Sequence, residues 1–237
     1  MNVRTDWTME FDVQRIEELQ SESFARILSR PKGREDWAEA LADARKLVEP
    51  AAVWDYIPVR EIQKDKIQLE GGAVIGSGLV AKVFAGASEL IIGICSIGTG
   101  LGARVKELQQ GRNMMRALLL DDLGSWAVDL VRQQLCHQME EEAAGAGLHI
   151  STCLSPGEST WTLEDQRVIF SLLDTAAIGA TLSPSLVMYP LKTLSLAMGR
   201  GSESLGHEGG SNCDFCTIKN RCAFRNRRAT LPVKETT

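Results

Sequence analysis

SPGESTWTLEDQRVIFSLL at residues 155–173 and PLKTLSLAM at residues 190–198 decide how this chain is read. In the first, Ser155-Pro156-Gly157 is a tight turn closing onto a helix, because proline and glycine punctuate the backbone and an apolar segment follows. That helix is expected to start near Thr162, whose hydroxyl can cap it. In the second stretch, Leu194, Leu196 and Met198 alternate with Thr193, Ser195 and Ala197. The period of two predicts a strand with one buried face.

Upstream, helical and extended patterns interleave. Residues 11–30 predict an amphipathic helix carrying Ile16, Leu19, Phe24, Ile27 and Leu28, ended by Pro31 and Gly33. Trp37, Leu41, Ala44 and Leu47 line a second helix that runs to Pro50. Residues 52–60 and 66–70 read as strands, the latter an edge strand closed by Gly71 and Gly72. A helix over 77–88, a buried strand over 90–96 (LIIGICS) and a helix over roughly 101–111 follow. Ser125 is expected to cap a long helix whose face carries Val128, Val131, Leu135 and Met139, ending at Gly145 and Gly147. The glycines of Gly93–Gly102 match neither a Walker loop nor a dinucleotide fingerprint, so they predict a strand-to-helix connection. The Glu140–Glu142 run reads as a solvated helix end, and His137 and His149 have no evident partner in sequence.

With 237 residues, 44% hydrophobic and 24% charged, the chain can bury one large core. A net charge of −5 argues against nucleic acid as a partner. The most apolar stretch, Val83–Ile97, is too short to span a bilayer and carries Glu89, and the N-terminus shows no secretory pattern. A cytoplasmic protein with no membrane partner is expected.

Beyond Gly199 the composition changes. GRGSESLGHEGGSN reads as a flexible linker into a basic, cysteine-containing tail, giving a core over 1–200 and a linker and tail over 201–237. The tail sequence CDFCTIKNRC, Cys213 to Cys222, has the form C-x2-C-x5-C. The two-residue spacing lets one turn aim two thiolates at one metal, and Lys219, Arg221, Arg225, Arg227 and Arg228 would offset the charge of a thiolate-bound centre. Cys213, Cys216 and Cys222 are thus candidate ligands of an iron–sulfur cluster, with zinc as the alternative if His207 completes a Cys3His site. A 4Fe-4S cubane lacks one ligand here, to be supplied by a core cysteine or left open. Cys153, in the loop before Ser155, is the main candidate for it, since Cys95 in an apolar strand and Cys136 on a helix read as packing residues. A linker of about fourteen residues reaches about 20 Å, enough to return the tail to that loop.

The core resembles the activation domain of vitamin B12-dependent methionine synthase, and more closely the stand-alone bacterial proteins of that fold. Ser155-Pro156-Gly157-Glu158 is similar to the family's R-x-S-P-G-Y loop. Gln166, Phe170, Leu172 and Leu173 match its Q-x-x-L/I-F-x-L-L helix, and Pro190, Lys192 and Ser195 its P-x-K-S-x-S strand. Softer matches are Pro50–Trp54, Cys95-Ser-Ile-Gly-Thr99 and Leu119–Ser125, the last resembling L-D-x-x-G-S. The likeness covers roughly residues 10–200, and the cysteine tail resembles tails on members associated with corrinoid proteins.

This resemblance implies an α+β fold, a twisted, mainly antiparallel β-sheet packed with helices, to which the small cysteine-rich metal-binding tail is appended. It implies a role beside cobalamin or another corrinoid, with a corrinoid protein or methyltransferase as partner and Ser155, Pro156, Gly157, Glu158 and Lys192 as cofactor-binding candidates. The family domain binds S-adenosylmethionine. Here Cys153 stands at the loop's arginine position and Glu158 at its tyrosine position, so weak or absent binding of that cofactor is expected. Three functions follow as expectations: an accessory protein donating an electron, received from a separate electron donor, to inactive cobalt; a zinc-stabilised binding module for a methyltransferase subunit without redox work; or an S-adenosylmethionine-binding methyl-donor domain acting in trans.

Overall fold

The computed structural model describes residues 1–18, 22–158, 161–209, 212–216 and 220. In chain order the elements are β1 (Asn2–Arg4), α1 (Val13–Glu18), α2 (Glu22–Leu28), α3 (Pro31–Leu47), β2 (Ala51–Ile62), β3 (Ile67–Leu69) and β4 (Val74–Ile75). There follow α4 (Gly78–Val83), β5 (Glu89–Ser96), α5 (Gly100–Gln110), α6 (Met114–Gly145) and β6 (His149–Ile150). The last are α7 (Gln166–Leu172), β7 (Thr181–Leu182), β8 (Met188–Tyr189) and β9 (Thr193–Gly201).

The main sheet has the order β4-β3-β2-β5-β9-β6, with β1 also on β2, and every pairing is antiparallel. The fold is therefore α+β, with helices covering an antiparallel sheet, as the family resemblance implies. Long β2 is shared: its first half pairs with β1, its second with β3, and its other edge with β5.

Two apolar clusters lie on the sheet's two faces. Ile91 and Cys95 of β5 and Leu196 and Met198 of β9 join Trp37 and Leu41 of α3 and Leu123, Val131 and Leu135 of α6. Leu90, Ile92 and Ile94, one residue out of phase, join Val80 and Phe84 with Trp161 and Ile169. Strand β5 is buried on both sides because its pleat sends alternate residues to opposite helical layers. Strand β9 is covered the same way, so the half-buried strand expected over 193–198 is buried on both faces.

Other expectations also change. The pattern over 11–30 is described as α1 and α2, with Leu19 outside the described residues. Gly33 does not end a helix but lies inside α3, where a Cβ would stand 2.0 Å from the Ile27 carbonyl oxygen of α2. Ser125 is no N-cap: α6 already begins at Met114, and the Ser125 hydroxyl bonds back to the Asp121 carbonyl within it. A serine can satisfy itself this way inside a helix, so its capping preference is overridden by the apolar residues before it. Thr162 makes no side-chain cap to the helix backbone; its hydroxyl turns to Glu164.

The segment read as a flexible linker from Gly199 is tied to the core as far as residue 209. Gly199 and Gly201 belong to β9, Gly206 donates to the Ala85 carbonyl, and His207 donates to that of Val83. Its polar, glycine-rich composition reflects tight backbone packing: a Cβ on Gly206 would stand 1.8 Å from the Lys82 carbonyl oxygen. Among the described residues no helix is long and apolar enough to cross a membrane.

Candidate functional site

Residues 151–154 run beside β9. Leu154 exchanges two backbone hydrogen bonds with Ala197, and Ser151 donates its N–H to Gly199. Extended backbone then sends Leu154 into the cluster around Trp161, and Cys153 into the cluster around α6.

The turn that follows is closed by its own groups. Gly157, at φ 87°, donates to the Trp161 carbonyl, Glu158 donates to that of Ser155, and the Glu158 carboxylate accepts the Ser155 N–H at 3.3 Å. Pro156 is buried beneath it. The Trp161 indole donates to Asp165 at 2.6 Å, and the same carboxylate oxygen accepts the Gly76 N–H. Gln166, only 1% exposed, reaches Ser195 on β9 at 3.3 Å. Matched positions of the helix and strand segments thus meet.

Lys192 is engaged elsewhere. Its ammonium bonds the Ser125 hydroxyl and pairs with Asp121, both at 2.9 Å and both on α6. Its stem passes over Gly124, where a Cβ would stand 3.2 Å from the lysine Cε. The L-D-x-x-G-S segment and the P-x-K strand entrance therefore form one contact. The described partners of Lys192 are not those of the Ser155–Glu158 turn.

Beside Cys153 lies a cluster that sequence reading did not assemble. Arg132, 8% exposed, directs Nη1 at the Cys153 sulfur at 3.8 Å, while its Nε and Nη2 bind Asp129 at 3.0 and 2.9 Å. The neighbouring Cys136 thiol holds the Cys153 thiol below the ordinary range; burial opposes this and Arg132 assists it. Cys136, itself buried, is held well above the ordinary thiol range by the neighbouring Cys153 and by burial, and burial pushes Cys95 up as well. The available signal was the spacing of Arg132 and Cys136 at i, i+4, which places both on one side of α6.

The tail returns to the same stretch of chain. The Thr152 N–H donates to the His207 carbonyl at 3.0 Å, and its hydroxyl lies 2.7 Å from His207 Nδ1 and donates to the Gly209 carbonyl. Both contacts are satisfied if Nδ1 carries the imidazole proton. The His207 ring meets Phe215 edge-on at 4.6 Å, and Phe215 packs on the cluster opposite α6. Asn212–Phe215 forms a single tight turn in which Cys216 donates its N–H to the Cys213 carbonyl at 3.2 Å. Cys213 and Cys216, on this one turn, are half-buried. Cys222 lies outside the described residues.

Among the described residues no group of three or more His, Cys, Asp or Glu could hold a metal, so Cys153 is not assembled there with Cys213 and Cys216. His149, unpartnered in sequence, pairs with Glu208 at 3.1 Å.

The antiparallel sheet with its two helical layers defines the chain as an α+β protein with the fold of methionine synthase activation domains. Thirteen chains of solved structures match it. One is the crystal structure of the MetH reactivation domain bound to AdoHcy, with a TM-score of 0.55 at 13% identity, covering 80% of this chain and 73% of that one. No protein-family model and no curated protein matches the sequence.

Proposed function

We propose that this chain is an accessory protein of corrinoid-dependent methyl transfer, acting in reductive reactivation of cobalt on a corrinoid protein or methyltransferase partner. The reading rests on one observation: a C-x2-C turn is seated, through Phe215, His207 and Thr152, against a core with the MetH reactivation-domain fold. Cys213, Cys216 and Cys222 would hold an iron–sulfur cluster. Such a cluster supplies one electron at low potential, which is what conversion of cobalt(II) to cobalt(I) consumes. The chain's own part is to fix the C-x2-C turn against residues 151–154, just before the Ser155–Glu158 turn.

The solved MetH domain holds AdoHcy. In this chain the Glu158 carboxylate folds back on Ser155, and the nearby guanidinium of Arg132 is engaged with Asp129 and Cys153. At this turn a carboxylate ligand would meet the Glu158 carboxylate, and the Arg132 guanidinium is already paired with Asp129. We therefore assign the chain an electron-transfer role rather than that of a methyl donor.

The test is anaerobic purification followed by iron, sulfide and zinc analysis and electron paramagnetic resonance of the reduced protein. Brown protein with iron and sulfide in cluster stoichiometry supports the reading. Colourless protein with one zinc per chain would replace it with a zinc-stabilised binding module.

A further inference from the structure

We propose that the solvent-facing stripe at the start of α6, Met114, Met115 and Leu118, docks a second copy of this chain, giving a reversible dimer in which the two α6 helices lie antiparallel.

The start of α6, MMRALLLDDL at residues 114–123, carries apolar residues on both sides. Ala117, Leu119, Leu120 and Leu123 are buried in the core, whereas Met114, Met115 and Leu118 are 59%, 39% and 62% exposed. A helix covered on one side carries polar residues on the other, unless a partner covers that side too. Met115, Leu118 and Asp121 recur every three residues and so form one ridge of the helix, with Met114 beside it. The unbranched methionine chains suit such a surface because they adapt to whatever packs on them.

Charge selects the occupant. Arg112 is exposed where the ridge begins, has no hydrogen-bond or ion-pair partner among the described residues, and is held in the left-handed region at φ 60°. It follows Gly111 at the end of α5, where Arg112 and Asn113 donate their N–H groups to the Gln109 and Leu108 carbonyls. Glycine is the favoured residue at that position, so the arginine is carried there against backbone preference. At the far end of the ridge stands Asp121, half-exposed and paired with Lys192. The stripe therefore runs cation, apolar, anion. A two-fold axis beside residues 116 and 117 turns it onto its own complement: Arg112 of each copy faces Asp121 of the other, and Met115 faces Leu118. An anionic lipid surface would suit Arg112 but repel Asp121. Three apolar side chains per copy are far fewer than the roughly 20–30 residues a side of a stable interface, so the dimer is weak and depends on concentration. This proposal does not depend on the tail's metal or on any corrinoid.

Sedimentation velocity of the full chain tests this, under reducing conditions and from low micromolar to high micromolar protein. The expected result is a reversible monomer–dimer equilibrium. Leu118→Glu should weaken it by about tenfold or more, and Arg112→Glu should weaken it by setting like charges opposite each other. Val74→Glu, at an exposed apolar residue of β4 outside the stripe, should leave it unchanged. Arg112→Gly separates the charge from the fold: in dilute protein its Tm should rise, because glycine suits the left-handed backbone, while dimerisation weakens. A chain that is monomeric at every concentration would overturn the proposal and leave the stripe to a different occupant. Dimerisation that Leu118→Glu leaves intact, or that Val74→Glu weakens equally, would place the contact elsewhere and overturn it too. If Leu118→Glu does not fold, the two Arg112 variants decide, and undiminished association of both would end the idea.

Discussion

The Thr152 hydroxyl stands 2.7 Å from Nδ1 of His207, joining the segment before the Ser155–Glu158 turn to the segment before the cysteine turn. This contact makes residues 205–209 part of the core's hydrogen-bond network. Replacing Thr152 by Val keeps the shape and removes the hydroxyl, leaving the Gly209 carbonyl and the imidazole without it. A loss of about 1 kcal/mol is expected, confined to this segment. Amide hydrogen exchange should accelerate at residues 205–209 and stay unchanged in α6. Equal acceleration in both would mean that the segment is not a separate opening unit.

Gly124 is the point where α5, α6 and the approach to β9 converge. A Cβ there would stand 2.7 Å from Leu101 Cδ2, which is fully buried, and 3.2 Å from the more flexible Lys192 stem. Gly124→Ala gains up to about 1 kcal/mol of helix propensity but overpacks the crossing at a cost of about 1–3 kcal/mol. The overpacking should win, lowering Tm by roughly 2–4 °C per net kcal/mol. A higher Tm in thermal unfolding would show that Leu101 gives way freely.

Tyr56 is held protonated far into the alkaline range. Burial, and then its 2.6 Å hydrogen bond to Glu142, push its pKa up to about 12. The folded state thus keeps a proton that the unfolded chain releases near 10, so this contribution to stability is full below about pH 10 and is lost as pH rises toward 12. In a Tyr189→Phe background Tyr56 is the sole tyrosine, and its ultraviolet titration should show the late ionisation. Ionisation near pH 10 in the folded protein would contradict the hydrogen bond.

On the proposed function, substituting Ser for Cys213, Cys216 or Cys222 should abolish metal binding by the tail while leaving the core folded. The apolar clusters on both sheet faces draw only Phe215 from the described tail. Metal content and circular dichroism of each variant check this. Loss of core ellipticity in all three would make the tail part of the folding unit.

S-adenosylmethionine should bind weakly or not at all to the isolated protein, because the turn at Ser155–Glu158 is closed by its own carboxylate. Calorimetry is the direct measurement. A low-micromolar Kd, about −8 kcal/mol, would favour a methyl donor acting in trans.

Much of the local structure is written in contiguous residues. LIIGICS reads as a buried strand because its apolar run is short and bounded, and Trp37, Leu41 and Ala44 read as a helix because their spacing puts them on one stripe. The C-x2-C spacing is likewise legible, and its two cysteines fall on one tight turn. Ser125 and Thr162 misled because a capping side chain states only what it can do. Whether it does so depends on the residues packed around it.

Only the tertiary structure decided the rest. The strand order, the meeting of Lys192 with Asp121 and Ser125, the pairing of His149 with Glu208, and the gathering of Arg132, Cys136 and Cys153 all join residues remote in sequence. Periodicity marks which face of an element is apolar but not which distant element will cover it. That choice is made by the summed burial of both sheet faces, and it set Cys153 in the cluster around α6.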